Sequence, residues 1–524
     1  MSLPIALGRH DDFSLQEQIY RFIRNQVLSG AYPTGVRLPS TRDLATDLRV
    51  SRTTVLLAYE WLMSEGYIET HKGVGTFVCN VINDAVRTGS SAGDRACAPP
   101  AYTNPSPRPA IVVPRETPIL INKDSERPRI DFWYGRPDSR QFPIKEWRRL
   151  IMQKLADPAS GLAEYGGQAG DPELRTAISE HISTTRGFLA GPERIVITSG
   201  AQEALNIISR LLICESVEVA IENPGYGSAA ALFRSYHARL VPVPVDRDGI
   251  CVDALRGVDA KLVYSTPSHQ FPTGALMTLE RRQGLLAWAQ SANAYIVEDD
   301  YDSEIIYDRP PLAALAALDQ HERVIYVGSF SKALGAGLRL GFLALPAELV
   351  ASAIAIKSMT SYGQSWLEQS ALASFMRAGS FRAHLRRIRT VYRLRRDTLI
   401  ASLRGAFGND IEISGENSGL HFVWTLPPDF PTADELTAMA RQLGVGLYSP
   451  ARAGAVQMGA AGGPERRLLM GYSALTPIEI EVAVKKIAAA VGKPDRPIER
   501  SKVGSRVAVS RTVPVAMGAE RQRP

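Results

Sequence analysis

The sequence predicts two fold classes in series: a small α+β unit of three helices and a β-wing, then a large α/β unit. Three observations predict this. A chain of 524 residues exceeds what one hydrophobic core serves. Near the N-terminus, apolar residues recur at helical spacing behind serines suited to capping. From Ile130 onward, short β-branched runs alternate with amphipathic stretches, the pattern of a sheet covered by helices.

The first helix follows Ser14 and Glu17, a capping-box pair, and sets Leu15, Ile19, Phe22, Ile23 and Val27 on one face. A turn with Gly30, Pro33 and Gly35 ends it. Ser40 and Asp43 open a short second helix, STRDLATDL. Ser51 opens a third, with Val55, Tyr59 and Leu62 inward. YIET, the turn HKGVG and TFV then read as a two-stranded wing. Two helices about a tight turn suit the major groove, the second entering N-terminus first. Arg52, Thr53 and Thr54 stand at that leading edge, where Arg pairs with guanine and Thr offers a methyl and a hydroxyl. Arg42, His71 and Lys72 are placed for backbone phosphates. A solvated protein-binding module carries such residues too. The stretch LSGAYPTGVRLPSTRDLATDLRVSRTTVLLAYEWLMSEGYIETHKGVGTFV resembles the winged helix–turn–helix of GntR-type regulators, which implies binding of double-stranded operator DNA. It departs at Arg49, where that family usually has glycine; the residue either strains the turn or adds a phosphate contact.

Composition excludes other classes. The chain is 45% hydrophobic and 22% charged, and no apolar run nears the roughly eighteen residues of a membrane span. His10, Asp11 and Asp12 interrupt any signal-peptide core, and the four cysteines form no CxxC pair. A cytoplasmic protein without a membrane partner, disulfide framework or zinc site is expected. Net charge is +6, but the first eighty residues hold eight basic and eight acidic side chains, and the tail 493–524 carries +5. DNA binding therefore rests on placement, not bulk charge. The expected domains are the reader at 13–79, a Pro-rich linker at 80–128, the α/β domain at 129–492 and a mobile basic tail at 493–524.

Within the α/β domain, SFSKALGAGLRLG follows the strand RVIYVG. A lysine just past a strand, Lys332, with Ser329, Ser331 and Arg339 nearby, suits a cofactor bearing an aldehyde and a phosphate. The amine condenses with the aldehyde, burial keeps it neutral, and hydroxyls and a guanidinium hold the dianion. Upstream, AYIVEDDYD ends another strand. Asp299 there can pair with a pyridinium nitrogen, making the ring an electron sink, and Tyr301 can reach the ring hydroxyl oxygen. The adjacent Glu298 and Asp300 leave a Mg²⁺ site open as an alternative. ITSGAQEAL sets Ser199, Gly200, Ala201 and Gln202 at a strand-to-helix turn that favours an anion. Tyr226, in ENPGYG, offers an aromatic face for stacking.

The ordered set of anion turn, aromatic, TPSHQFPTG, EDDYD, SFSK and Arg resembles the fold-type I aminotransferases. With EYGGQAGDPELRTAISEHISTTRGF, it resembles the MocR-like branch, a GntR-type reader joined to an aminotransferase-like domain. The resemblance covers residues 13–79 and about 130–490. It implies pyridoxal 5′-phosphate (PLP) as a Schiff base on Lys332, Asp299 at the ring nitrogen, Tyr301 at the ring oxygen and Tyr226 stacking. Arg339, Ser329, Gly200 and Ala201 would hold the phosphate, and Arg467 an effector carboxylate, unless it serves a structural ion pair. It also implies a head-to-tail homodimer. Phe271 stands where aminotransferases usually carry an Asn that tunes the ring hydroxyl; Ala336 replaces a frequent proline, and Glu215–Ser216 the usual Gly-Asp. The first reading is a regulator that senses PLP, or its adduct with an amine or amino acid. The second is a working aminotransferase carrying a DNA anchor, and the third a cofactor-free dimerisation remnant.

Overall fold

The computed structural model describes residues 3–5, 7–8, 13–71, 73–79, 127–157, 161–308, 312–459 and 465–492. The tail expected at 493–524, Lys72, and the linker before Arg127 lie outside them. The chain forms two compact units, residues 1–111 and 112–524. No helix among the described residues is long and apolar enough to cross a membrane.

In the first unit, α1 (Leu15–Leu28), α2 (Thr41–Leu48) and α3 (Arg52–Ser64) each start at a capping serine. The side chains of Ser14, Ser40 and Ser51 accept from the amides of Glu17, Asp43 and Thr54. Each cap satisfies an amide that a helix start leaves open, and contributes about 1 kcal/mol. Ile19, Ile23, Leu44, Val55 and Leu62 are fully buried in one core. Leu3 joins that core and Gln18 clamps Gly8 in both directions at 3.0 and 2.9 Å, so ordered packing begins ahead of residue 13. The wing has three strands where two are expected: β1 (Arg37–Leu38), β2 (Ile68–His71) and β3 (Gly75–Val78), in the order β1–β3–β2. A two-residue strand is too short to show alternation in sequence. Arg49 closes α2 with φ 54° and ψ 43°, a left-handed backbone that costs a non-glycine residue about 1–2 kcal/mol. Strain at the missing glycine is thus present in the turn.

The second unit is built on an eight-stranded sheet: β4 (Ile195–Thr198), β5 (Glu218–Asn223), β6 (Arg239–Asp246), β7 (Gly249–Ile250), β8 (Leu262–Ser265), β9 (Tyr295–Asp299), β10 (Val324–Ser329) and β11 (Gly341–Ala344). Their order is β4–β11–β10–β9–β8–β5–β6–β7. Neighbours from β10 to β6 run parallel, while β11 runs antiparallel between β10 and β4. The central strands are buried on both faces, as their continuous apolar runs require. A separate three-stranded sheet, formed by Glu412–Ser414, His421–Thr425 and Arg467–Gly471, packs with helices Ser380–Phe407 and Pro477–Ala490 around Phe422, Trp424 and Tyr472. The strand Ile130–Asp131 pairs with Val445–Gly446 beside it.

Candidate functional site

Five turns leave the same edge of the large sheet, since β4 and the parallel strands β5, β8, β9 and β10 all end there. They are Ser199–Gly200, Asn223–Tyr226, Thr266–Phe271, Asp299–Tyr301 and Ser329–Lys332. Ligands of open α/β sheets settle at carboxyl ends of strands, where backbone amides and helix starts are free. A cavity of about 430 Å³ opens at this edge. Lys332, Asp299, Tyr301, Tyr226 and Arg339 line it, together with Ala201, Ser329 and Ser331.

Strand alternation sorts the three neighbouring acids. Asp299 points into the cavity, while Glu298 and Asp300 face the other side of β9. Glu298 accepts from the amides of Leu315 and Ala316 at 2.8 and 3.0 Å and lies 3.8 Å from Arg282. Asp300 pairs with Arg186 at 2.6 Å and accepts from Tyr326 at 2.5 Å. The Mg²⁺ alternative loses its ligand set to these contacts. Asp299 Oδ2 accepts from the Tyr264 hydroxyl at 2.7 Å, and burial pushes its pKa up to about 7. Its Oδ1 is buried without a hydrogen-bond partner among the described residues.

Lys332 donates from Nζ to the Gly135 carbonyl at 2.8 Å. Burial lowers its pKa, and the carboxylates of Asp302 and Asp299 pull it back up. Desolvation thus raises the neutral fraction that attacks an aldehyde. The Tyr226 ring meets Phe271 edge-on at 5.8 Å. At the opposite end, Arg339 donates to the Ser199 carbonyl and lies against Gly200. Ser199 itself is turned from the cavity: its amide and hydroxyl both donate to Glu203, at 2.5 and 2.9 Å. The free amides at the start of helix Ala201–Leu212 remain the anion-facing feature there.

Arg467 is not on this wall. Its Nε and Nη2 donate to Glu465 at 2.9 and 3.0 Å, while Arg466 donates to the carbonyls of Pro427 and Phe430. A second cavity, of about 680 Å³, shares Lys332, Tyr134 and Tyr226 with the first and adds Trp133, Phe142 and Arg136. Arg136 pairs with Asp131 at 2.6 Å, and Tyr448 donates to the same carboxylate at 2.7 Å. Sequence reasoning missed Tyr134, Tyr264, Arg136 and the buried pair His269–Asp302. Tyr264 carried a local signal, as the polar-tipped residue near the end of strand KLVYS, and His269 and Asp302 stand inside the motifs TPSHQFPTG and EDDYD, where no role was read for them.

In the reader, Arg42, Arg52, Thr53 and His71 are exposed. Thr54 is half-buried, its hydroxyl 2.7 Å from that of Ser51. His71 lies 3.3 Å from Glu69. Among the described residues, Arg42 and Arg52 have no ion-pair partner.

Residues 15–78 match the bacterial regulatory proteins of the gntR family, and residues 132–487 match aminotransferase class I and II. An uncharacterized HTH-type transcriptional regulator, YdeL of Bacillus subtilis (strain 168), is 34% identical over 94% of this chain and 99% of its own length. The probable rhizopine catabolism regulatory protein MocR of Rhizobium meliloti is 37% identical over 80% of this chain and 83% of its own. The chain belongs to the MocR-type HTH transcriptional regulators. The HTH-type pyridoxine biosynthesis transcriptional regulator PdxR of Corynebacterium glutamicum is 31% identical over 80% of this chain and 85% of its own. Among solved structures, the α-aminoadipate aminotransferase LysN of Thermus thermophilus superposes with a TM-score of 0.61 and 27% identity, over 69% of this chain and 92% of its own. A MocR-type regulator therefore joins a DNA-binding unit to a large unit of the fold-type I aminotransferase class, whose cofactor is pyridoxal 5′-phosphate. The residues present fit that group. The unpartnered Asp299 oxygen suits a ring N–H, the desolvated Lys332 amine an aldehyde, and Arg339 beside a helix start a phosphate.

Proposed function

We propose that this regulator senses PLP, or PLP joined to an amine or amino acid, at Lys332 and passes its occupancy to the DNA reader. The observation that carries the reading is the buried, unpartnered Asp299 Oδ1 in the cavity that also holds the Lys332 amine and Arg339. PLP supplies an electrophilic aldehyde and an electron-accepting ring. The chain's residues supply its placement. Asp299 meets the ring nitrogen, Tyr301 the ring oxygen and Tyr226 the ring face. Arg339, Ser329, Ser331 and the turn at Gly200 and Ala201 secure the phosphate end. An effector amine enters through the outer cavity, where Arg136 is the candidate for an acidic group, while Arg467 is held by Glu465.

In the reader, Arg52, Thr53 and Thr54 read base edges, while Arg42, His71 and Lys72 hold phosphates. The protein acts with the DNA in the cytoplasm as a head-to-tail homodimer. Tyr165 and Tyr362, 88% and 67% exposed with rings 5.8 Å apart, supply apolar surface that a second copy covers. Such a sensor requires its ligand to bind two arrangements of the assembly unequally.

The test is a spectral titration with PLP and then with a panel of amines and amino acids, with operator affinity followed in parallel. A visible band that Lys332→Ala abolishes, coupled to a change in DNA affinity, is expected. A band that survives the substitution removes Lys332 as the site. Phe271 at the ring-oxygen side disfavours the enzyme reading; steady amino-group transfer to a 2-oxo acid over many turnovers would restore it.

A further inference from the structure

Tyr301 has one hydrogen-bond contact among the described residues, and that contact restricts where its proton can go. Its hydroxyl lies 3.3 Å from His269 Nδ1, with the two rings stacked at 23°. The same nitrogen lies 2.7 Å from Asp302 Oδ2. His269 is 1% exposed and Asp302 3%, so neither contact is diluted by solvent. A bare Nδ1 lone pair against a carboxylate in a dry interior is repulsive, so Nδ1 must carry hydrogen. A nitrogen that carries hydrogen cannot accept one. The Tyr301 oxygen can at most accept from it, which leaves the phenol proton free to serve the cavity.

We propose that His269 and Asp302 are positioning residues that aim the Tyr301 hydroxyl proton at the ligand. This rests on the cofactor orientation proposed above, in which Tyr301 meets the ring oxygen. Two further features fit. Burial, with Asp302 and Asp299 nearby, raises the Tyr301 pKa well above its ordinary value, so the phenol keeps its proton. Phe271, on the same cavity wall, has no donor to offer, which leaves this stretch dependent on the tyrosine. Gly274 and Gly415 close over the far side of the imidazole, where a Cβ would come within 3.3 and 3.1 Å of Nε2. The ligand atoms of His269, Asp302 and the neighbouring His421 lie within 4.8 Å of one another, and His269 Nε2 and both His421 nitrogens are buried without a hydrogen-bond partner among the described residues.

The test compares His269→Leu, which removes the donor, with His269→Asn, whose amide nitrogen can replace Nδ1. A donor aimed at the ring oxygen favours loss of the proton shared with the lysine–cofactor link. The pH midpoint of the visible band should therefore rise by about one unit in His269→Leu, the equivalent of one net hydrogen bond. It should return close to the original in His269→Asn. Asp299, Asp302, Tyr134, His421 and Lys332, which also face this region, are unchanged in both variants. A midpoint that does not move in His269→Leu overturns the proposal. Should that variant fail to fold, ¹⁵N-histidine NMR of the unsubstituted, cofactor-free protein decides: hydrogen on Nδ1 of His269 supports the assignment, and hydrogen on Nε2 alone overturns it. If the unsubstituted protein never develops a Lys332-dependent band, the sensor reading fails, and the NMR result still judges the hydrogen-bond direction by itself.

Discussion

The contacts that shape the reader are local, whereas those that shape the cavity span the chain. Each reader helix starts from a serine bonded three residues ahead, at Ser14, Ser40 and Ser51. In the large unit, Lys332 is anchored by a carbonyl 197 residues away, and Arg339 by one 140 residues away. The reader also leaves Arg42, Arg52, Thr53 and His71 in solvent, while the cavity draws Asp299 and the Lys332 amine out of water. On the reading proposed above, replacing the exposed Arg52 is expected to change what the unit binds without changing how it folds. A buried Asp299 changes both, because its charge is expensive inside the protein.

The largest way to break this comparison is at the sheet edge. A Cβ at Gly341 would lie 2.8 Å from the Gly200 Cα and 2.9 Å from the Gly328 carbonyl, atoms that cannot swing aside. Gly341→Val is expected to destabilise the large unit by about 3 kcal/mol and to disturb the turn at Gly200, read as a lowered urea midpoint and weakened PLP retention. Reader helicity should survive.

Next is Asp299. Its folded-state pKa of about 7 lies above the ordinary 3.8, so the folded protein holds the proton over a range where the unfolded chain has released it. The stability this gives is complete below pH 4 and is lost as pH rises through 7. Cofactor-free Asp299→Asn should show a flatter decline of urea midpoint over that window than the unsubstituted protein. Equal slopes would mean that the carboxyl is not desolvated.

Arg52→Ala should weaken operator binding by about 1–3 kcal/mol and relax preference at one base pair, with no change in thermal midpoint. Unchanged binding would move the reading edge elsewhere. The smallest effect is at Arg49, where glycine relieves the left-handed strain. Arg49→Gly should stabilise the reader by about 0.5–1 kcal/mol, seen in thermal unfolding of the full chain. A loss of DNA affinity in that variant would reveal a phosphate contact as well.

Much of the fold was legible beforehand. The capping serines, the helical spacing from Leu15 to Val27 and the strands RIVITSG, KLVYSTP and RVIYVGSF all appear as elements. The short strand at Arg37–Leu38 and the packing of Leu3 were not legible, since neither leaves a periodic trace. At the cavity, Lys332, Asp299, Tyr226, Tyr301 and Arg339 line one space, the first four just past strand ends that their own motifs announced and Arg339 just ahead of the strand Gly341–Ala344. Ser199, Arg467 and the pair His269–Asp302 depended on partners to which no motif pointed. Glu203 occupies the first, Glu465 holds the second, and the third became visible only when Tyr301 came within reach. The separation of Asp299 from Glu298 and Asp300 was available from the two-residue period of a strand alone.

The sequence by itself determined the order of units, the reader's helices and the motifs from which a cofactor site can be assembled. These depend on neighbours three or four residues apart, or on alternation within one strand. Tertiary structure alone decided which acids, arginines and hydroxyls neutralise one another before a ligand arrives. That outcome depends on side-chain directions and on which segments the fold brings together, from two to more than a hundred residues apart, and in a water-poor interior a charge is answered by whichever partner the packing brings near.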